Sequence, residues 1–346
     1  MSTRLKVAIV GAGGWGYQHA RILAARPDVE LCAIAGRTRE KTAARAAEFH
    51  ARPYTSVDEM LAKEKPDFVT LSLPNREHFD ATMRVITAGV PLLVEKPLTF
   101  ELSEADQLVA EAQRRNLFFA INFNHRYAKP VVMAHQAIRQ GRLGELIFAS
   151  WRFGGEGGVE HPFNNLIETQ CHGFDMLEFL CGPIVSIMAQ MTDKTHHGVY
   201  RTMALALQFN GGAVGTLLGS YDSSYAYPDT HVVEINGTKG RVRIEDTVQR
   251  YTFNASGNEI AETWQAGYFN DRDRGFHLTF DAHMDAMLAA FRRREQPPIH
   301  ARAGRRALRL ALAAIDSFRS GRRVEIPPDD YIEMPSPKIT TAPPSP

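Results

Sequence analysis

At 346 residues the chain is too long for one ordinary hydrophobic core, and two domains are expected. With 44% hydrophobic and 23% charged residues and a formal net charge of +1, it reads as globular and has no global field to recruit nucleic acid or an acidic membrane surface. Three cysteines (Cys32, Cys171, Cys181) make no disulfide framework, Val7 to Val10 is too short for a signal-peptide core, and no stretch approaches the roughly 20 apolar residues that span a bilayer, so a cytoplasmic protein is expected.

The first 120 or so residues alternate strand and helix signals. Val7-Ala8-Ile9-Val10 is a continuous apolar run, as in a parallel strand buried on both faces. A helix follows from Trp15 to Ala25, with Pro27 marking its end. Leu31 to Ala35 is a second buried strand, and Thr38 is placed to cap a helix through Phe49. Ser56-Val57-Asp58-Glu59 is a capping box. Phe68 to Leu73 is the next strand, after which Asn75 caps a helix that Gly89 closes. Pro91 to Val94, a helix from Ser103 to Arg115 and the strand Leu117 to Ile121 complete the series. Such alternation implies βαβ units in a parallel, doubly wound sheet.

Beyond Asn124 the texture changes. A helix over Val131 to Gln140 is followed by a strand over Leu146 to Phe153. Met203 to Phe209 alternates large and small residues, and Asn210-Gly211-Gly212 turns it into Ala213 to Tyr221. His231 to Ile235 and Arg241 to Ile244 flank the hairpin signal Asn236-Gly237-Thr238-Lys239-Gly240. Two helices follow, one with Phe280, Met284, Met287, Leu288 and Phe291 on one face, the other with Leu308, Leu312, Ile315 and Phe318. The expected organisation is α/β: a doubly wound parallel sheet over 1–123, an α+β domain with a large, mostly antiparallel open sheet over 124–334, and a disordered Pro-rich tail over 335–346.

Gly11-Ala12-Gly13-Gly14-Trp15-Gly16 carries the pattern G-x-G-x-x-G after a strand and at the opening of a helix, the context of a Rossmann dinucleotide turn. Gly11 permits the tight turn, Gly13 lets the backbone approach a pyrophosphate, and Gly16 lets helix and strand pack closely. Gly14 and Trp15 lie at the helix N-terminus, where unpaired N–H groups face the phosphates. Trp15 either walls the nicotinamide pocket or packs its helix. An acidic residue about 20 positions on would bond the ribose 2′-hydroxyl of NAD. Here the segment is Gly36-Arg37-Thr38-Arg39, with nothing acidic before Glu40. Arg37 can fork two donors onto a 2′-phosphate and Thr38 can add a hydroxyl, so NADP(H) is favoured over NAD.

Glu95-Lys96-Pro97 ends a strand, which aims Lys96 into the ligand crevice of an open α/β sheet. Placed after the glycine turn, this triplet resembles the signature of the glucose–fructose oxidoreductase / inositol dehydrogenase / MocA family. Leu73-Pro74-Asn75 with His78 resembles the motif after the fourth strand, Phe123-Asn124-His125-Arg126-Tyr127 the domain-crossing segment, and Gly321 to Pro327 the C-terminal ending. The resemblance covers nearly the whole chain apart from the tail. It implies that Leu73, Pro74, Asn75, His78, Glu95 and Lys96 line the cofactor site, that a cis bond precedes Pro97, and that dimers or tetramers form on the second-domain sheet. It also implies a histidine on the first helix of that domain, which His172 fits.

Helical spacing places Glu168 and His172 at i and i+4, with Asp175 one turn on. Many relatives carry Asp in place of Glu168 and Gly in place of Gln170, which leaves Glu168 to bind a substrate hydroxyl, orient His172 or cap the helix. Oxidising a carbinol requires a base for the hydroxyl proton, and reduction requires the same group as an acid. Histidine suits that task, with a reference pKa of about 6.5. A lysine ammonium stabilises developing alkoxide or, if desolvated, acts as the base itself. His172 is assigned as acid/base and Lys96 as its electrostatic partner. Asn124 and Arg126 contact substrate or the nicotinamide end, or else serve a domain-interface hydrogen bond, and Asp175 is a candidate for substrate contact. Cys171-His172 and His196-His197 lack the separated ligand pairs of a zinc site, and Asp271-Arg272-Asp273-Arg274 reads as a solvated loop.

The expected activity is NAD(P)-dependent hydride transfer to or from a sugar, sugar derivative or cyclitol, at a secondary alcohol or ketone or at an anomeric carbon. The alternatives are a nucleotide-retaining glycosidase or lyase that oxidises its sugar transiently, and a non-catalytic nucleotide-sensing regulator on the same fold.

Overall fold

The computed structural model describes residues 4–74, 77–194 and 198–328; Asn75, the His196-His197 pair and the tail over 335–346 lie outside them. The chain divides into two compact units, Met1–Phe123 with His283–Arg305 and Asn124–Ala282 with Arg306–Pro346.

The first unit carries β1 (Leu5–Val10), β2 (Val29–Ala35), β3 (Arg52–Tyr54), β4 (Phe68–Leu71), β5 (Leu92–Val94) and β6 (Phe119–Ile121), with α1 (Gly14–Ala24), α2 (Arg39–Glu48), α3 (Val57–Glu64), α4 (His78–Thr87) and α5 (Leu102–Arg114) between them. The strands lie in the order β3-β2-β1-β4-β5-β6 and every pair is parallel. This is the doubly wound Rossmann order, and its connections reverse direction between β1 and β4. The apolar runs are buried as continuous runs must be: Val7, Ala8 and Ile9 are fully enclosed, as are Phe68 and Val69. The edge strand β3 carries no apolar signal; its Arg52 and Pro53 are exposed, and an edge is where a sheet tolerates proline.

Ser56 caps α3 as expected, its Oγ accepting from Glu59 N at 3.3 Å. Thr38 departs from expectation. It sits at the N-cap of α2, but its hydroxyl makes no capping bond; instead its carbonyl accepts from Thr42 N and Oγ1. The described N-cap of α4 is Glu77, whereas the expected cap Asn75 lies outside the described residues.

Residues 283–305 belong to the first unit, although the sequence reading assigned them to the second. Their attachments are long-range and leave no local pattern. Phe291 meets Phe68 and Phe118 edge-on, with ring centroids 5.2 and 5.5 Å apart. Ile121 N donates to Ile299 O, and Ala301 N donates to Phe119 O. Asp285 pairs with Arg26, and Arg305 with Asp106.

In the second unit the elements are α6 (Lys129–Arg139), β7 (Leu146–Gly154), α7 (Cys171–Cys181), β8 (Ile184–Thr192), β9 (Thr202–Phe209), β10 (Val214–Ser220), β11 (His231–Gly237), β12 (Gly240–Glu245), β13 (Arg250–Ala255), β14 (Ala261–Gln265), α8 (Asp271–Arg274) and β15 (Val324–Glu325); α9 (Leu278–Arg292) and α10 (Arg302–Ser320) are the two amphipathic helices read from the sequence. The nine strands run β14-β13-β12-β11-β7-β10-β9-β8-β15, antiparallel except for β7 with β10. β8, β13 and β14 had no clear signal; β8 has a register shift between Ile184 and Ser186 that breaks its alternation. Asp271–Arg274 is a single helical turn capped by Asn270 rather than a loop.

One face of this sheet is filled by Met203, Leu205, Leu207, Phe209 and Leu217. The other leaves Phe148, Val214 and Leu218 at 41%, 55% and 41% exposure, beside exposed Ala204 and Ala206 on β9. Among the described residues no helix is long and apolar enough to cross a membrane.

Candidate functional site

The glycine turn lies at the end of β1, at the switch point of the first sheet. Gly11 has φ +127°, and a Cβ there would collide with the Ser72 carbonyl oxygen. A Cβ on Gly16 would collide with the Gly11 carbonyl oxygen. These two glycines are required by the fold itself. Gly13 and Gly14 are different: a Cβ on either would meet nothing within 4 Å and would project into open space. That open backbone at the start of α1 is the cradle a dinucleotide pyrophosphate needs. Trp15, at the same helix start, is 45% exposed.

At the end of β2, Gly36 leaves room for the Thr42 hydroxyl and the Ala12 side chain. The guanidinium of Arg37 is largely exposed and pairs with Glu77. The Thr38 side chain makes no cap, as noted above.

His78, at the start of α4, is buried between two carbonyls, Nε2 at 2.7 Å from Leu73 O and Nδ1 at 2.9 Å from Pro97 O. Burial lowers its pKa more strongly than the carbonyls raise it, so the neutral ring has one N–H to donate. It ties the Leu73-Pro74 segment to the Lys96-Pro97 turn. His78, a candidate for the cofactor site, thus supports the two segments that would flank a cofactor.

Glu95 is also held by internal bonds. It is buried, and its Oε1 accepts from His19 Nε2 at 2.9 Å and from Asn122 Nδ2 at 2.6 Å. The Asn122 side-chain oxygen accepts in turn from His283 Nδ1 at 2.6 Å. Burial pushes the Glu95 carboxyl up, but the His19 bond and charge, the Asn122 bond and the Lys96 ammonium outweigh it and hold it below the ordinary range. This chain of four buried side chains joins α1, the end of β5, the end of β6 and α9. It fixes the turn that carries Lys96, which is partly exposed and joined to Pro97 by a cis bond.

In the second unit, Asn124 to Tyr127 form a buried 3-10 turn. Asn124 Nδ2 donates to Thr279 Oγ1 at 2.7 Å, and Thr279 Oγ1 donates to Phe276 O. Arg126 forks onto Asp175, Nε to Oδ2 at 2.8 Å and Nη2 to Oδ1 at 2.5 Å, while its guanidinium lies 4.7 Å from the Phe179 ring centre. Both members of this pair are buried. Burial raises the Asp175 pKa against the pull of Arg126. Asn124, Arg126 and Asp175, candidates for substrate contact, hold the turn against α7 through these bonds.

His172 stands in the first turn of α7 and is buried. The i, i+4 relation to Glu168 needs revision, because residues Asn165–Thr169 form a π-helical turn before α7 begins at Cys171. Glu168 is partly exposed, and its Oε2 accepts from Asn164 Nδ2 at 2.6 Å. Gln170, which departs from the family pattern, is accommodated: its Oε1 accepts from Trp151 Nε1 and its Nε2 donates to Asn165 Oδ1, both at 2.9 Å. A Cβ on Gly219 would strike the Gln170 side chain, so β10 makes room for it.

The residue most easily missed is His125. Its ring stacks on that of His172, with centroids 3.9 Å apart and planes 7° off parallel. Its position inside Phe123-Asn124-His125-Arg126-Tyr127 was the only signal that could have found it. Among the described residues no group of three or more His, Cys, Asp or Glu could hold a metal ion.

The comparisons with known proteins agree with this geometry. Residues 5–123 match the model of an oxidoreductase family with an NAD-binding Rossmann fold, and residues 129–326 match its C-terminal alpha/beta domain. The chain is 30% identical over 203 residues to an uncharacterized oxidoreductase of Schizosaccharomyces pombe, a match covering 55% of each, so the aligned part spans about half of that relative. It is 23% identical over 333 residues to the inositol 2-dehydrogenase of Rhizobium meliloti, covering 93% of this chain and 99% of the relative. Among solved structures, levoglucosan dehydrogenase in complex with NADH superposes with a TM-score of 0.86 at 17% identity, covering 94% of this chain and 100% of that one, a likeness of fold. The glycine cradle, the Glu95-Lys96-Pro97 turn and both domain matches place the chain in the Gfo/Idh/MocA oxidoreductase family.

Proposed function

We propose that this protein transfers a hydride between a nicotinamide dinucleotide and a sugar, sugar derivative or cyclitol, at a secondary alcohol or ketone or an anomeric carbon. The observation that carries the reading is the placement of Lys96 at the end of β5, on a turn braced by the buried Glu95 chain in a Rossmann sheet with an open glycine cradle. The names of relatives support the substrate class, since they include inositol 2-dehydrogenase and D-glucoside 3-dehydrogenase.

The backbone at Gly13 and Gly14 would hold the pyrophosphate at the α1 N-terminus, and the Leu73-Pro74 segment would flank the cofactor. When bound, the nicotinamide supplies the hydride acceptor or donor. In oxidation His172 takes the proton from the reacting hydroxyl, and in reduction it returns that proton to the carbonyl oxygen. The Lys96 ammonium offsets negative charge on the same oxygen. Glu168, partly exposed one turn before His172, accepts a hydrogen bond from a substrate hydroxyl.

Arg37 favours NADP(H), because the end of β2 offers an exposed guanidinium and no carboxylate of its own. The apolar outer face of the second sheet, with Phe148, Val214 and Leu218, would be covered by another copy in a dimer or tetramer.

The test is an oxidation screen of polyols and sugars with NADP and NAD in parallel, with Lys96→Ala as the blank. Turnover with NADP at the higher kcat/KM is the expected result. Release of a leaving group without net nucleotide reduction would replace this reading with transient oxidation, and the absence of any turnover would remove it.

A further inference from the structure

Around His172 the second unit builds more than a pairwise contact. His125 presents a full ring face to it at 3.9 Å, nearly parallel. The other sides of His125 are closed by aromatic edges: Phe276 at 5.3 Å and 88°, Phe153 at 6.5 Å and 83°, and His231 at 5.7 Å. His231 is itself walled by Trp151 and Phe153 and is hydrogen-bonded through Nδ1 to the Thr247 hydroxyl. Burial pushes His231 down to about 3, so this backing ring is neutral at ordinary pH. The 3-10 turn bearing His125 is pinned on both sides, by Asn124 to Thr279 and by Arg126 to Asp175 on the same helix as His172. Neither ring can rotate freely about its last torsion without losing the stack, a torsion that is intrinsically broad for histidine.

We propose that His125 is a positioning residue: its stacked ring sets the plane of the His172 imidazole and thereby the direction of the nitrogen that exchanges the substrate proton. The role is that of a flat surface rather than of a proton carrier. This inference rests on the assignment of His172 as acid/base made above. A general base acts only within hydrogen-bond reach of its proton, and a misplacement of about 1 Å costs on the order of a hundredfold in rate.

The experiment uses the full chain with myo-inositol, D-glucose and L-sorbose as probes and compares His125→Ala, His125→Phe, His172→Ala and the His125→Ala/His172→Ala double variant. His125→Ala is expected to lower kcat by about tenfold to a hundredfold with little change in KM, and His125→Phe, which keeps a flat ring, to recover most of it. The double variant is expected to be no slower than His172→Ala alone, because the loss acts through His172. In selectively labelled protein, the His172 ring signals are expected to be sharp in the wild type and His125→Phe and broadened in His125→Ala. If His125→Ala does not fold, His125→Phe carries the test alone. Unchanged kcat in His125→Ala, no activity in folded His125→Phe, or multiplied losses in the double variant would each overturn the positioning role. Unchanged kcat in His172→Ala would instead overturn the acid/base assignment, and the ring signals would still report whether the stack orders His172.

Discussion

Two buried carboxylates, one in each unit, show how neighbours decide the state of a site. Glu95 and Asp175 are both buried beside residues singled out for chemistry, yet they are shifted in opposite directions. Glu95 receives bonds from two different side chains and feels the Lys96 charge, and it is held below its ordinary value. Among the described residues Asp175 has Arg126 as its side-chain partner, and burial lifts it despite a two-pronged ion pair. A charge shared among several donors is stable where a charge with one partner stays costly. Both serve as braces: Glu95 for the turn of Lys96, Asp175 for the helix of His172.

The contrast can be broken most directly at the groups being braced. Lys96→Ala and His172→Ala should each lower turnover by roughly a hundredfold or more, with the melting temperature nearly unchanged only for the partly exposed Lys96. If either retained full kcat, the corresponding brace would be purely structural.

Removing the braces should act on stability instead. Asp175→Asn leaves Arg126 buried without its counter-charge and should cost about 3–5 kcal/mol in urea unfolding. Glu95→Gln should cost less, about 1.5–3 kcal/mol, because the amide oxygen can still accept both bonds, without the charge that strengthens them. Equal losses would show that the number of donors does not matter.

The glycine turn offers a parallel test. Gly11→Ala combines a positive φ with a collision against the Ser72 carbonyl and should cost about 2–4 kcal/mol. Gly13→Ala should change stability by only about 0.5 kcal/mol yet weaken nucleotide binding, read by titrating NADH or NADPH fluorescence.

The pH dependence separates the carboxylates by sign. Glu95 has a folded pKa below its unfolded value of about 4.5, so its stabilisation is present above that value and is lost as pH falls through the folded pKa. Asp175 is raised, so its contribution is most favourable below 3.8 and is lost as pH rises through the folded pKa. Against the wild type, Glu95→Gln should flatten the loss of stability on acidification, and Asp175→Asn should steepen it, in urea midpoints measured from pH 6 to pH 3. In the same urea unfolding Ser56→Ala should cost about 1 kcal/mol, from a single lost cap on α3.

Much of the first unit was legible because its signals are local. Continuous apolar runs announced the buried parallel strands, and a glycine pattern with the right spacing announced the turn after β1. The edge strand β3 was invisible because its residues bury nothing, and β8 because a register shift interrupts its alternation. The candidates Lys96 and His172 were singled out by motif. The internal bonds of Glu95, His78, Arg126 and Asp175 were not legible, because a polar residue in a motif looks the same whether its partner is a ligand or a residue 49 positions away.

The sequence by itself determined the order of elements, the glycine turn and the chemical identity of the groups near it, since periodicity, capping and backbone freedom depend on neighbours a few residues apart. Only the tertiary structure decided which polar groups are spent internally. It joined His19, Glu95, Asn122 and His283 into one chain across 264 residues of sequence. It inserted a π-helical turn before α7, and it laid His125 flat against His172. The reason is physical: burial makes every unpaired polar group costly, and the partners that satisfy it are chosen by position in space.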